Sequence, residues 1–316
     1  MYKIYKSCAD GVDELMLDQL EKGIWIDIIS PSIEELTEIS AATGVQLDYL
    51  TAALDDEEKS RIEWETDQIL ILIDIPLLRS NNDYDTLPLG IIITANCIIT
   101  VCLEVNAVLA DFNSTNYRTF STFKKTRFLF QILYKSATLY LKYIRNINRR
   151  TDELEQHLRK SMENAELFNL LDVQKSLTFF SASLRSNYIV TEKILRLRST
   201  NQLQHLIKMY EEDEDLLEDV IIEYKQAIEM VEMYSHILNS MMEVFASIIN
   251  NNMNLVMKFL AGVTILLAIP TVLSGLWGMN VQVPFHDNDY AFFIVVAIAT
   301  AIAITFAYFL RKKRMF

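Results

Sequence analysis

Hydrophobic and polar positions follow two different periods along this chain, and a third region carries almost no charge at all. Over residues 1–127, short β-branched runs alternate with helix and turn signals. Ile24-Trp25-Ile26-Asp27-Ile28-Ile29 reads as a strand. Ser30-Pro31-Ser32 then opens a helix, with Pro31 suited to its first turn and Ser32 and Glu35 at capping-box spacing. Residues 69–75 and 90–101 are apolar runs typical of buried strands, and the Asn- and Asp-rich residues 79–85 separate them as a loop. This pattern predicts an N-terminal α/β domain over 1–127. Beyond it the period becomes helical, as in Leu170, Leu171, Leu177, Phe180 and Leu184. No proline occurs between Pro88 and Pro270, and no glycine between Gly90 and Gly262, so several long helices fit, with breaks near 161–166, 199–202 and 211–215. We read 128–253 as a helical bundle ending in a stalk helix. That helix carries Leu217, Val220, Tyr224, Val231 and Leu238 and shows no stop signal before Asn250-Asn251-Asn252. A helix of ~60 residues would be ~90 Å long and needs support from neighbours, in a bundle or an oligomer.

Residues 259–286 contain no Asp, Glu, Lys or Arg, and neither do residues 290–310. A bilayer core about 30 Å thick needs about 20 apolar helical residues, so both segments qualify as transmembrane helices. The expected divisions are a first span over 254–280, an outer loop over 281–289, a second span over 290–310 and a basic tail over 311–316. Charge sharpens this division. The net charge of −13 splits into −16 over residues 1–257 (24 Lys/Arg, 40 Asp/Glu) and +3 over 258–316 (5 Lys/Arg, 2 Asp/Glu). Lys258 at the entry to the first span and Arg311, Lys312, Lys313 and Arg314 after the second place both termini in the cytoplasm by the positive-inside rule. The start of the chain has neither a signal-peptide core nor the Arg-rich character of a transit peptide, so the expected location is the cell (inner) membrane. An acidic body is a poor nucleic-acid binder. Cys8, Cys97 and Cys102 read as reduced thiols. No His/Cys metal spacing, Walker A sequence or nucleophile–base pair is visible, so an enzyme is not expected.

Small or polar residues recur on one face of the first span. Met257, Ala261, Thr264, Ala268, Thr271 and Gly275 follow steps of three and four, among bulky Leu266, Leu267, Ile269, Val272 and Leu273. That spacing serves either a pore lining or close helix packing. A second charge feature is the run Glu211-Glu212-Asp213-Glu214-Asp215 with Glu218-Asp219, seven carboxylates in nine residues. It is either a solvated helix start or a cation sensor.

Gly278-Met279-Asn280 closes the first span, with Pro270-Thr271 upstream and a short loop, a second span and a basic tail downstream. This arrangement resembles the CorA family of magnesium channels. Trp25-Ile26-Asp27, the stretch from Pro31 to Leu36 and Arg61-Ile62-Glu63 extend the resemblance over essentially the whole chain. The resemblance implies a homopentamer in the lipid bilayer, with first spans lining a central pore and second spans forming an outer ring. It makes Gly278, Met279 and Asn280 the selectivity filter, five asparagine amides facing a hydrated ion. Mg2+ holds its waters tightly, and neutral carbonyl oxygens accept from those waters without stripping them. The resemblance matches Asn254, Met257, Leu260, Thr264, Ala268 and Thr271 to pore-facing positions. A bulky Met is common in the family where Ala268 stands, so Met257 and Leu260 become the gate candidates. The resemblance also implies regulatory Mg2+ bridged from an acid on the long helix to acids on the neighbouring α/β domain. Asp219, with Glu218 beside it, matches the former, and Asp83 or Asp85 the latter. In the outer loop Val283-Pro284-Phe285 replaces the family's Met-Pro-Glu, leaving Asp287 and Asp289 to attract cations.

The expected function is passive, channel-like uptake of hydrated Mg2+, with Co2+ or Ni2+ as further substrates, no organic cofactor, and inhibition by cytoplasmic divalent cation. An inside-negative potential supplies about 2.3 kcal/mol per charge per 100 mV, so ~4.6 for a divalent ion. The alternatives are Zn2+ transport as in the related ZntB branch, against which Met279 stands, and a membrane-anchored sensor or scaffold without a pore.

Overall fold

The computed structural model describes residues 1–8, 11–79, 83–113, 116, 118–161, 164–197, 206–279 and 290–312. Seven strands form one sheet: β1 (Tyr2–Cys8), β2 (Gly11–Leu15), β3 (Ile24–Ile29), β4 (Arg61–Trp64), β5 (Gln68–Leu78), β6 (Tyr84–Thr94) and β7 (Cys97–Cys102). Their order is β2-β1-β3-β7-β6-β5-β4. Only β3 and β7 run parallel; every other pair is antiparallel. The apolar run 90–101 is two strands rather than one. The Thr94 hydroxyl oxygen accepts from the backbone N–H of Asn96 at 3.2 Å and Cys97 at 3.1 Å, folding β6 back into β7.

Helix α1 (Ile33–Thr43) begins where the capping pattern places it. Glu35 N–H donates to Ser32 Oγ at 3.2 Å, and Ser32 N–H donates to Glu35 Oε2 at 2.9 Å. Pro31 precedes the cap instead of filling the first turn. The helix ends at Gly44, whose φ of +73° suits glycine. With α2 (Leu47–Thr51), α1 covers one sheet face, burying Leu36, Ile39 and Leu50 against Ile4, Ile26, Ile28, Ile92 and Ile99. On β6, a side chain at Gly90 would lie 2.9 Å from Ala53 Cβ, so only glycine allows this close approach.

Four long helices follow: α3 (Lys125–Ser161), α4 (Asn164–Leu197), α5 (Glu211–Trp277) and α6 (Ala291–Lys312). Trp25 of β3 packs against Phe128 of α3, and Tyr84 of β6 meets Tyr143 of α3 and Phe180 of α4. The Tyr224 side chain of α5 is fully buried. The chain divides into two compact units, Met1–Asn239 and Ser240–Phe316. In the second, the end of α5 and all of α6 are long and apolar enough to cross a membrane.

Candidate functional site

The later turns of α5 carry the predicted stripe. Asn254, Met257, Leu260, Ala261, Thr264, Ala268, Thr271 and Gly275 are all exposed on the single chain. At about 100° per residue, those from Met257 to Gly275 fall within an arc of about 80°. Gly262, Val263, Leu266, Ile269, Leu273 and Trp277 lie about 120–180° away from the middle of that arc. Between Met257 and Trp277 these are the positions with reduced exposure. Leu266 and Leu273 border a groove of ≈ 640 Å³ shared with Val295, Ala299 and Ala303 of α6. Thr271 also lines that groove, and the other stripe residues do not. The stripe positions other than Thr271 therefore face away from the groove with α6.

The hydroxyl geometry on this face has a chemical consequence. Thr264 Oγ1 donates to Leu260 O at 2.9 Å, and Thr271 Oγ1 donates to Leu267 O at 2.9 Å. Each hydroxyl has one proton, and it is spent on the helix. What each threonine presents outward is an acceptor oxygen, the group that a water molecule coordinated to a cation can donate to. Pro270 lies within α5 and has no N–H, so Leu266 loses its ordinary helical partner one turn below this point.

Helix α5 ends at Trp277. Gly278 N–H donates to Ser274 O at 2.9 Å, and a side chain at Gly278 would lie 3.2 Å from that same oxygen. Glycine is therefore the residue that lets the chain leave the helix here without crowding it. Met279 is exposed beyond it. Asn280, Asp287 and Asp289 lie outside the described residues, as do Lys313 and Arg314.

The carboxylates expected to hold a regulatory cation lie on separate elements. Glu218 and Asp219 are exposed on α5. Asp83 precedes β6 and accepts from Ser176 Oγ of α4 at 3.4 Å. Asp85, in β6, pairs with Arg79 at 3.1 Å, and Arg79 also holds Glu104 at 3.0 Å. Those two carboxylates, Glu104 first, push the Arg79 guanidinium further up. Among the described residues, one chain brings no three His, Cys, Asp or Glu side chains together for a metal ion. The acidic run itself is partly spoken for. Asp213 is buried and caps α5 by accepting from Tyr210 N–H at 3.2 Å. Arg127 of α3 pairs with Glu212 at 2.9 Å and lies 3.6 Å from Asp213. Glu218 and Asp219 fall beyond these contacts, one turn further along the helix.

Two polar sites in the body escaped the sequence reading. Asp27 accepts from Thr100 Oγ1 at 2.8 Å, and Trp25 Nε1 donates to the same hydroxyl at 2.9 Å. Desolvation raises the Asp27 carboxyl to about 6. The second site surrounds Asp74 of β5. Strand β4 pairs with β5 only up to Leu72, leaving the Asp74 backbone at an open edge. The Asn187 side-chain amide fills that edge like a strand residue. Asp74 N–H donates to Asn187 Oδ1 at 2.9 Å, and Asn187 Nδ2 donates to Asp74 O at 2.6 Å. A span of 113 residues separates the partners, and no local pattern encodes their meeting.

The sequence profile of a family described as "CorA-like Mg2+ transporter protein" matches residues 21–313. The chain is 30% identical over 328 aligned residues to "Cobalt/magnesium transport protein CorA" of Methanocaldococcus jannaschii, covering 99% of each. It is similar to the complete structure of the CorA magnesium transporter from that organism, with TM-score 0.83, 28% identity, and 98% and 97% of the two chains covered. A ZntB cytoplasmic domain from Vibrio parahaemolyticus has TM-score 0.60 at 11% identity, covering 80% of this chain and 97% of that one, a likeness of fold alone.

Proposed function

The chain belongs to the CorA-like Mg2+ transporter family, and from that premise we propose that it carries hydrated Mg2+ into the cell through a homopentameric, channel-like pore. Co2+ and Ni2+ are further cargo of the same pore. The observation that supports this most is the α5 stripe, exposed, mostly small or polar, and, Thr271 apart, turned away from the groove with α6. Five copies of such a face around an axis would line a path with oxygen acceptors and no fixed charge. Helix α6 would form the outer ring, with both termini in the cytoplasm.

In this reading Asp287 and Asp289 concentrate cations at the outer mouth. Gly278, Met279 and Asn280 form the filter, where amide oxygens accept from the waters of the ion. A neutral ring leaves the hydration shell in place and does not trap the ion as a ring of carboxylates would. Thr271 and Thr264 would then receive the same waters in turn. Ala268, Ala261 and Gly275 leave room for a hydrated cation, Asn254 lines the inner end, and Met257 and Leu260 close the pore by an apolar constriction. The membrane potential drives the flow, at about 4.6 kcal/mol per divalent ion per 100 mV.

Proteoliposome flux tests the filter. Asn280→Ala is expected to abolish Mg2+ uptake while the oligomer stays intact by size exclusion. Unchanged uptake would remove Asn280 from the filter. The same assay run with Mg2+, Co2+, Ni2+ and Zn2+ ranks the cargo, and preferential Zn2+ uptake would overturn the Mg2+ reading.

A further inference from the structure

The body of the protein holds a charged cavity outside the segment that carries the pore stripe, and what it binds does not depend on the transport reading. The cavity, of ≈ 720 Å³, opens where the head of α3 meets the first turn of α5 and the residues just before it. That volume lies in the range of small-molecule sites. Four cations line it, Lys124, Lys125, Arg127 and Lys208, against three carboxylates, Glu211, Glu212 and Asp213. It is thus +1 inside a body of −16.

The protein uses these charges unequally. Arg127 pairs with Glu212 at 2.9 Å and stands 3.6 Å from Asp213, which is buried and also accepts from Tyr210 N–H. Those two acids are compensated from within, leaving Glu211 opposed to three lysines. Among the described residues, every ion pair at this cavity is made by Arg127, and none by a lysine. Lys124 is exposed. Lys208 Nζ stands 5.1 Å from the centre of the Tyr210 ring. Lys125 Nζ donates to Thr94 O and, at 2.9 Å, to Ala95 O, so two of its three protons go to carbonyls. Burial holds the Lys125 ammonium below the usual lysine range, a cost that a bound anion would offset.

Two aromatic rings stand at the same cavity. Phe123 and Tyr210 line it and are 54% and 60% exposed, so both are open to a ligand. The Phe123 ring is pinned against Gly23, where any side chain would run into it. Open rings beside ammonium groups without carboxylate partners suit a molecule with both a planar π-face and a chain of anionic oxygens. Inorganic phosphate would engage the lysines alone, and a free base the rings alone.

We propose that this cavity binds a nucleoside polyphosphate. Its phosphate oxygens accept from Lys124, Lys208 and the remaining Lys125 proton, and its base lies against the exposed rings of Tyr210 and Phe123.

Isothermal titration calorimetry on the full chain in nanodiscs, with Mg2+ held constant, tests this without any flux measurement. The probes are ATP, inorganic tripolyphosphate and adenosine. ATP is expected to bind at one site per chain. Tripolyphosphate should bind about tenfold or more weakly, for want of a stacking base, and adenosine should give no measurable heat. Lys124→Ala and Lys208→Ala, both at exposed positions, are expected to weaken ATP about tenfold each. Tyr210→Ala should bring ATP close to tripolyphosphate. Lys142→Ala removes the same charge 17 residues beyond Lys125 on α3, ~25 Å along the helix, and should leave ATP binding unchanged. No heat with ATP at millimolar concentration would overturn the proposal. So would tripolyphosphate as tight as ATP, or an equal loss in the K124A and K142A variants.

Discussion

Single residues in this protein are legible when their chemistry is local and hidden when their partners are remote. The Ser32–Glu35 capping box needed only a spacing of three. Asn187 looks like any polar helical residue until the fold brings it to the open edge beside Asp74. Its amide satisfies a backbone donor and a backbone acceptor at once, and both would be left bare by truncation. Asn187→Ala is therefore expected to lower unfolding stability by about 2–4 kcal/mol, and Asn187→Asp to fail in restoring it, because a carboxylate cannot donate. Chemical denaturation of the detergent-solubilised chain measures both. Asp27 gives a pH signature instead. Its folded carboxyl, at about 6 against an ordinary 3.8, makes the charged form costly. That cost is present in full above pH 6, shrinks as pH falls through 6, and is gone below 3.8. It amounts to about 3 kcal/mol at most. Asp27→Asn keeps an oxygen for Thr100 and is expected to raise the melting temperature at pH 8, with little change at pH 4.

Elements follow the same division. Strands β3, β5 and β7 announce themselves because both of their faces are buried and their sequences are almost purely β-branched or apolar. Strands β1, β2 and β4 do not. They are short or half-exposed, with Lys3, Lys6, Asp13 and Glu63 in their pattern, and only pairing in the sheet makes them strands. The long helices were visible from what they lack, since no glycine or proline interrupts α3, α4 or the first half of α5. Within α5, the direction of the stripe came from periodicity, but the use of its hydroxyl protons did not. Since Thr264 and Thr271 donate to the helix, valine in their place preserves shape and removes the outward acceptor together with that one bond to a carbonyl the helix already serves. Thr264→Val with Thr271→Val is expected to cut Mg2+ flux in proteoliposomes by about tenfold or more, while circular dichroism and oligomer size remain unchanged. Each serine counterpart keeps the oxygen and is expected to retain most of the flux. Equal flux in the valine variant would mean that this face is for packing.

At the scale of the whole molecule, charge distribution links the body to the proposed pore. The −13 of the chain is a −16 body joined to a +3 membrane end, and the stripe that would line the pore carries no carboxylate. The sequence marked the start of α5 as the acidic centre, but it could not divide that run by role. The structure divides it: Glu212 and Asp213 are held by Arg127 and by the helix cap, whereas Glu218 and Asp219 are exposed one turn later. Asp85 likewise already has Arg79 as a counter-ion, whereas Asp83 accepts from the Ser176 hydroxyl at 3.4 Å, so Asp83 would be the better partner for a divalent ion from a neighbouring subunit. If Mg2+ bridges Asp219 to Asp83 between subunits, it screens two carboxylates that otherwise repel, and its loss frees the stalks to separate. Asp219→Asn removes the repulsion together with the ligand. It is expected to raise the internal Mg2+ needed for half-inhibition of flux by about tenfold, the order of one lost charged ligand. Asp83→Asn should do the same, and the double variant should add little, because the two would act through one ion. Asp85→Asn, whose partner is Arg79, should leave the inhibition constant near wild type. Additive effects of the first pair would place Asp219 and Asp83 in separate sites, and an unchanged constant in both would move the sensor elsewhere on the body.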